Sequence, residues 1–415
     1  MYTLKNEKRL TMTLNTLQTT QDYINIEEKL GAHNYHPLDV VISKADGVWV
    51  EDVEGNRFLD CLAAYSAVNQ GHCNPTIMKA FLGQVEKVTL TSRAFRNDQL
   101  PRLYQQLSEM TGYQMSLPMN SGAEAVETAV KAARKWGYTI KGVEENQAEI
   151  IVVEGNFHGR TITVVSFSTE EQYKEGYGPM TPGFKTIPYN DAAALENAIT
   201  PNTVGFLVEP IQGEAGIVIP DDGYLKECAD ICKKHNVLFM CDEIQSGLGR
   251  SGKLFAHNYE DVRPDMVIIG KALSGGFYPV SAVLADSQVL GVFKPGDHGS
   301  TFGGNPLGAA VATAALQVIE DEGLIERSHE LGKYFMERLA AIDSPYIKEV
   351  RGKGLWIGVE MDRNARPYCE ELMGLGILCK ETHDTVIRIA PPLVITKEEI
   401  DWAMERFEKV LVKEK

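Results

Sequence analysis

Residues 237–276 read VLFMCDEIQSGLGRSGKLFAHNYEDVRPDMVIIGKALSGG. Two short apolar runs, Val237–Cys241 and Met266–Ile269, each stop at charged or glycine residues: Asp242-Glu243 after the first, Gly270-Lys271 after the second. Runs of this length, rich in branched residues and bounded by turn formers, read as strands buried on both faces. The same signature recurs at Ile150–Val153, Val204–Val208 and Val280–Leu284, and helical stretches such as Gly223–His235 lie between several of them. Alternation of this kind predicts an α/β fold whose mostly parallel sheet is covered by helices on both faces. In such sheets ligands gather beyond the carboxyl ends of the strands.

Outward from this centre, Val48-Trp49-Val50 and Arg57-Phe58-Leu59, joined across Glu54-Gly55-Asn56, predict a hairpin. Asn74-Pro75 predicts a helix start, and Ile77, Phe81, Leu82, Val85 and Val88 follow at helical spacing. A long Ala/Val helix is expected after Asn305-Pro306, then a smaller α+β unit with strands near Leu355–Val359 and Val386–Ala390 and a last helix capped by Thr396 and Glu399. The expected division is an N-terminal segment, 1–59, packing with the small domain, a large domain at 60–305 and a small domain at 306–415. The first twenty residues are expected to form a disordered tail rather than a targeting peptide.

Composition excludes several classes. Of 415 residues, 44% are hydrophobic and 24% charged, as in an ordinary water-soluble globular protein, and the formal net charge of −16 repels a nucleic-acid backbone. No apolar stretch is long enough to span a membrane. Seven cysteines without a C-x-x-C pair read as buried thiols of a reducing, cytoplasmic compartment. His33 and His36 lack further clustered ligands, so no metal is expected. Gly247–Lys253 fits G-x-x-x-x-G-K, but Leu254 stands where a nucleotide-binding loop needs Ser or Thr.

The chemistry concentrates at strand ends. Asp242, Lys271 and the segment Glu154–Arg160 each follow an apolar run. Ser121 and Glu124 predict a capping box, which leaves the amides of Gly122 and Ala123 at a positive helix end, an anion site. A lysine that burial can deprotonate, a carboxylate for a ring nitrogen and amides for a phosphate together meet the needs of pyridoxal 5'-phosphate.

These residues lie within separated motifs: Gly31–Pro37 (GAHNYHP), Tyr65–His72 (YSAVNQGH), Glu209–Glu214 (EPIQGE), Asp242–Gln245 (DEIQ), Gly270–Gly276 (GKALSGG) and Gly299–Pro306 (GSTFGGNP). On them the chain resembles the class III aminotransferases of the aspartate-aminotransferase-like fold (fold type I of the pyridoxal-phosphate enzymes), from about Leu30 onward. The resemblance implies that Lys271 forms the Schiff base and shuttles protons, Asp242 pairs with the pyridine nitrogen, Phe157 stacks on the ring and Gln245 contacts its phenolic oxygen. Gly122 and Ala123 would hold the phosphate. Ser300 and Thr301 would reach a phosphate in the other subunit of a homodimer with shared sites. Tyr35, Tyr65 and Arg160 would hold the amino-acid end of ornithine, and Arg388, partnered by Glu214, a carboxylate of the 2-oxo acid. The implied reaction moves the δ-amino group of L-ornithine to 2-oxoglutarate. N-acetylornithine or 4-aminobutyrate transamination, or an aminomutase, are the alternatives. His158 and Phe302 depart from the family pattern, in which an aromatic often follows the stacking Phe and Tyr replaces Phe302.

Overall fold

A computed structural model describes residues 17–413; most of the expected N-terminal tail lies outside them. Seven strands form the central sheet: β4 (Met115–Met119), β5 (Glu149–Val153), β6 (Phe184–Ile187), β7 (Thr203–Val208), β8 (Leu238–Asp242), β9 (Met266–Ile269) and β10 (Ser281–Ala285), preceded in the chain by β1 (Ile42–Asp46), β2 (Trp49–Asp52) and β3 (Arg57–Asp60). The order across the sheet is β4-β10-β9-β8-β7-β5-β6. All neighbours run parallel except β10, which is antiparallel to both β9 and β4. Each of the strands read from the sequence is present, within one residue of its expected start.

Successive side chains of a strand face opposite ways, so each strand feeds two cores. Ile150, Val152, Leu207, Met240 and Ile268 pack on one side with Ala125, Val126 and Ala129. Ile151, Val153, Phe206, Phe239 and Cys241 pack on the other with Leu225, Cys228, Ile231 and Cys232. Those partners lie on two of the nine longer helices among the described residues: α1 (Thr20–Leu30), α2 (Pro75–Val85), α3 (Leu100–Thr111), α4 (Gly122–Trp136), α5 (Tyr224–Lys234), α6 (Pro306–Asp321), α7 (Leu324–Ala340), α8 (Arg366–Gly374) and α9 (Lys397–Leu411). The expected caps are in place: Asn74 on α2, Ser121 with Glu124 on α4, Asn305 on α6 and Thr396 with Glu399 on α9. Two expectations change. Helix α2 ends at Val85, so Val88 lies beyond it, and Leu82, Val85 and Val88 are exposed rather than core. Helix α1, whose own capping box joins Thr19 and Asp22, begins inside the segment expected to be a tail.

The C-terminal strands are β11 (Ile347–Lys353), β12 (Trp356–Met361), β13 (Ile377–Leu378), β14 (Lys380–Thr382) and β15 (Val386–Ile389). Four make an antiparallel sheet in the order β11-β12-β15-β14, while β13 joins the N-terminal sheet β1-β2-β3-β13 by pairing parallel with β3. Trp49 strengthens that union. Its Nε1 donates to Glu399 at 2.8 Å, and its ring meets Trp402 edge-on at 5.1 Å. Helix α6 packs against α2, α3 and the turn Lys271–Ser274 as well as α7, and so bridges the two regions.

Arg250 sits where these parts meet and is fully buried. Its Nη1 donates to the carbonyls of Leu355 (2.8 Å) and Pro391 (2.7 Å), and its Nη2 to Asn69 Oδ1 (2.6 Å). Burial pulls its pKa down to about 9, against the pull of Asp60 upward, and leaves it charged at neutral pH. Removing a charged donor here strands three buried acceptors. Arg250→Ala is therefore expected to lower unfolding stability by roughly 3–5 kcal/mol. Denaturant titration checks this; a loss below about 1 kcal/mol, the ceiling for an exposed ion pair, would show that the hub is not structural.

Candidate active site

Beyond the carboxyl ends of β5, β8 and β9 lies a cavity of about 200 Å³, lined among others by Gly122, Ala123, Phe157, Asp242, Gln245 and Lys271. The strand-end rule thus brings together the six residues the sequence assigned to one cofactor in one subunit. A larger cavity, of about 530 Å³, opens at the opposite ends of β8 and β9 among Lys226, Asp230, Arg263 and Asp265, without a comparable set of chemical groups.

Asp242 ends β8 and is buried. One oxygen accepts from the amide of Ile244 (3.0 Å); the other lies 2.6 Å from His158 Nδ1. Burial opposes charge on His158, but the hydrogen bond and negative charge of Asp242, with Glu209 adding to them, raise its pKa above the ordinary value. Asp242 thus faces an imidazole whose protonated form it favours. Lys271 opens the turn after β9 with φ of 41°, in the left-handed region that non-glycine residues rarely adopt. Burial lowers the pKa of its amine, although Glu214 and Asp242 pull the other way.

The anion end is built by α4. Its capping box satisfies the amides of Glu124 and Ser121, at 3.2 and 2.7 Å. The first-turn amides of Gly122 and Ala123 cannot be satisfied within the helix. Gly159 lets the loop after β5 cross this end: its φ is +124°, and a Cβ there would sit 2.8 Å from Ala123 Cβ. Two buried nitrogens at the cavity, Gln245 Nε2 and His158 Nε2, have no protein partner among the described residues. An amine, a carboxylate backed by a buried imidazole, an anion site, the Phe157 ring and a spare amide donor match the parts of pyridoxal 5'-phosphate.

Beside the cavity Arg388 is buried and Glu214 holds it, Nη1 to Oε1, at 3.0 Å; Nη2 donates to the Gly213 carbonyl at 3.0 Å. Burial pushes the Glu214 carboxyl up, but Arg388 outweighs it and the net shift is downward. Tyr65 lies under the same guanidinium, 5.2 Å from ring centroid to Cζ. It stands in a left-handed turn, Ala63–Ser66, in which all four residues have positive φ. Asp60 supports this strained turn by accepting from the amides of Leu62 (2.8 Å) and Ala63 (2.9 Å). Arg160, on the loop after β5, is exposed and lies over the rings of Phe157 and Tyr173. Tyr35 is 81% exposed on a loop tied down by Lys380 Nζ to the His36 carbonyl and Arg366 to the Pro37 carbonyl.

Ser300 and Thr301 do not line the cavity of their own chain. Ser300 Oγ accepts from Asn120 Nδ2 (2.9 Å), and Thr301 is exposed. Glu243 also stays out of the chemistry: its oxygens are spent on Ser246, Ala256 and His257. Glu209, inside the motif Glu209–Glu214, was given no role from the sequence, yet it lines the cavity. It accepts from the Phe157 amide at 2.8 Å and is buried. Burial, with Asp242 adding to it against His158, raises its pKa from 4.5 to about 7.

The Glu209 shift has a sign that can be tested. Between pH 4.5 and about 7 the folded protein keeps a proton that the unfolded chain has lost, so the stability contribution falls as pH rises through that window. In cofactor-free protein Glu209→Gln is expected to gain thermal stability relative to wild type between pH 5 and pH 8. Melting temperatures at both pH values decide: a difference that does not change with pH means Glu209 titrates as an ordinary carboxylate.

Comparison with known proteins gives an independent measure. The family model "Aminotransferase class-III" matches residues 30–411. The chain is 63% identical over 395 residues to an ornithine aminotransferase of Brevibacillus brevis, covering 95% of this chain and 99% of the relative. With that of Bacillus subtilis it shares 61% over 398 residues, covering 96% and 99%. Among solved structures, an ornithine aminotransferase from Toxoplasma gondii superposes with a TM-score of 0.95 at 44% identity, covering 97% of each chain. An acetylornithine aminotransferase from Elizabethkingia anophelis gives 0.87 at 50% identity, covering 94% of this chain and 98% of that one.

Proposed function

This chain belongs to the class-III aminotransferases, and from that premise we propose that Lys271 and Asp242 are its catalytic residues and that Arg160 and Arg388 divide the recognition of two unlike substrates. The enzyme transfers the δ-amino group of L-ornithine to 2-oxoglutarate, giving glutamate 5-semialdehyde, which cyclises to pyrroline-5-carboxylate, and glutamate. Its cofactor is pyridoxal 5'-phosphate. When bound, that cofactor supplies an electrophilic carbon for the amino group and an electron sink for the C–H bond that breaks.

The chain's own groups do the rest. Lys271 would hold the cofactor through its ε-amine and, once displaced, move a proton at the reacting carbon; its lowered pKa favours the basic form this needs. Asp242, positioned by its hydrogen bond with His158, would keep a proton on the ring nitrogen. Gln245 Nε2 would donate to the ring's phenolic oxygen, Phe157 would cover one face, and the amides of Gly122 and Ala123 would take the phosphate.

The unlike state of the two arginines carries the substrate reading. Arg160 is exposed, while Arg388 is buried and paired with Glu214 at 3.0 Å. Ornithine must present its δ-amine, so its α-carboxylate belongs at Arg160, with Tyr35 and Tyr65 beside it. An open Arg388 would attract that same carboxylate and offer the wrong amine. Glu214 masks it, and swinging the Glu214 side chain away exposes Arg388 for a carboxylate of 2-oxoglutarate. Thr382 Oγ1 bonds the Glu214 carbonyl at 2.5 Å, which fixes the backbone while the side chain turns.

The test measures each half-reaction separately. Glu214→Ala is expected to raise α-amine transamination of glutamate relative to δ-amine transamination of ornithine by roughly tenfold, the scale of one charge-assisted hydrogen bond. Lys271→Ala abolishes both. An equal loss in the two half-reactions of Glu214→Ala would make Glu214 a mere wall of the pocket. A donor panel that favours N-acetylornithine or 4-aminobutyrate over ornithine would overturn the donor assignment.

A homodimer with shared sites fits the remaining residues, and seven free cysteines suit a cytoplasmic setting. Among the described residues no helix is long and apolar enough to cross a membrane. Phe302, beside Thr301, and Phe95 are 45% and 73% exposed, and Asn97 Nδ2 donates to the Gly304 carbonyl at 3.2 Å, which ties their two segments together. Exposed rings such as these are what a partner subunit covers. If Ser300 and Thr301 complete the neighbour's phosphate site, Thr301→Ala weakens cofactor retention several-fold, and dilution below the dimer dissociation constant releases cofactor from wild type. Retention by the monomer at full affinity contradicts the shared site.

A further inference from the structure

Arg160 makes no ion pair with a carboxylate among the described residues. It is placed by aromatic rings instead. Its Cζ lies 3.5 Å from the ring centroid of Tyr173 and 5.5 Å from that of Phe157. The two rings meet edge to face, 6.1 Å apart at 81°. Tyr173 belongs to a short helical turn, Glu171–Lys174, and is half-buried, so it is a firmer body than the exposed arginine it carries.

A guanidinium directs its N–H groups outward in its own plane. A close ring beneath it therefore uses the π face of the cation and leaves the N–H edge available. An ion pair with an aspartate or glutamate would use that edge up. Such a platform also removes side-chain freedom before the ligand arrives, which lowers the entropic cost of binding. The Tyr173 hydroxyl keeps its proton, because burial raises its pKa, with Glu214 and Glu170 adding to this against Arg160. The interaction is thus one of cation and ring rather than of two charges.

We propose that Tyr173 is a positioning residue for the amino donor: its ring holds the Arg160 guanidinium with the N–H edge free for the α-carboxylate of ornithine. This rests on the role of Arg160 argued above. Through its edge-to-face contact with Phe157 the same ring ties donor recognition to the group that covers the cofactor.

A double-mutant cycle on the holoenzyme separates positioning from mere packing. Tyr173→Ala is expected to raise KM for ornithine on the order of tenfold, with kcat at saturating ornithine within roughly twofold of wild type. Tyr173→Phe, which keeps the ring, retains the wild-type KM. Tyr173→Leu, which keeps apolar bulk without the ring and guards against collapse of the turn, behaves like Tyr173→Ala. In an Arg160→Ala background, where KM is already raised, neither Tyr173→Ala nor Tyr173→Leu raises it further. The proposal fails if their effect persists undiminished in that background, if Tyr173→Phe is as defective as Tyr173→Ala, or if Tyr173→Ala leaves KM unchanged. If Arg160→Ala alone leaves KM for ornithine unchanged, the arginine's role falls first and the proposal with it. A raised KM in Arg160→Ala beside an unaltered Tyr173→Ala refutes only the role of Tyr173.

Discussion

The guanidinium of Arg250 ends on three distant parts of the chain, at Asn69, Leu355 and Pro391. Asn69 lies four residues after Tyr65, and Pro391 three after Arg388. Arg250 itself follows Asp242 by eight residues, on the turns that leave β8. One buried cation therefore ties the segments that carry Tyr65 and Arg388 to the strand that ends in Asp242. Burying such a charge costs several kcal/mol, roughly, and is sustained only where hydrogen bonds replace water. The carbonyls it meets would be orphans without it. This mutual dependence holds the small sheet in register with the large one, and the site is built at their junction.

The central sheet was legible because its strands are buried on both faces, which turns local composition into a direct readout of structure. Helix starts were legible where a side chain caps them, at Asn74, Ser121, Asn305 and Thr396. Helix α1 escaped notice although Tyr23, Ile26 and Leu30 recur at helical spacing; none of its residues is buried, and polar residues surround that stripe. Strand β13 has two residues, too few for any pattern. The left-handed turn at Ala63–Ser66 could not be foreseen at all: nothing in those side chains favours positive φ, and the strain is sustained by Asp60 from outside the turn. The glycines of Gly247–Lys253 find their reason in packing, since a Cβ at Gly249 would meet Leu393 at 3.1 Å and one at Gly252 would meet His329 at 3.0 Å.

For the site, legibility divides between groups announced by position and groups defined by environment. Lys271 and Asp242 stand at strand ends, and Gly122 and Ala123 behind a capping box, so the chain order alone draws attention to them. Glu209 also stands at a strand end, after β7, within a motif that the family resemblance had singled out. Only the folded structure shows that it is buried against His158 and Asp242, which is what moves its pKa. His158 read as a departure from a family pattern; in the fold it is the hydrogen-bond partner of Asp242. Tyr173 gave no signal, because a tyrosine in a polar segment is unremarkable until the ring is seen beneath Arg160.

The charges of the site constrain one another. Lys271 needs an amine that gives up its proton readily, yet Asp242 and Glu214, both close enough to act on it, favour the protonated form. Each carboxylate is committed elsewhere, Asp242 to His158 at 2.6 Å and Glu214 to Arg388 at 3.0 Å. Pairing moderates the field each one projects onto the lysine, and Arg388 itself lowers the lysine's pKa. The Glu214–Arg388 pair thus has two effects at once. It occupies the buried Arg388 guanidinium, and it moderates a carboxylate that favours the protonated form of Lys271. In the proposed exchange, an incoming acid would bring a negative charge of its own to the Arg388 guanidinium as Glu214 leaves it. The pair would then be exchanged rather than lost, and the guanidinium beside Lys271 would keep a negative partner in both halves of the reaction.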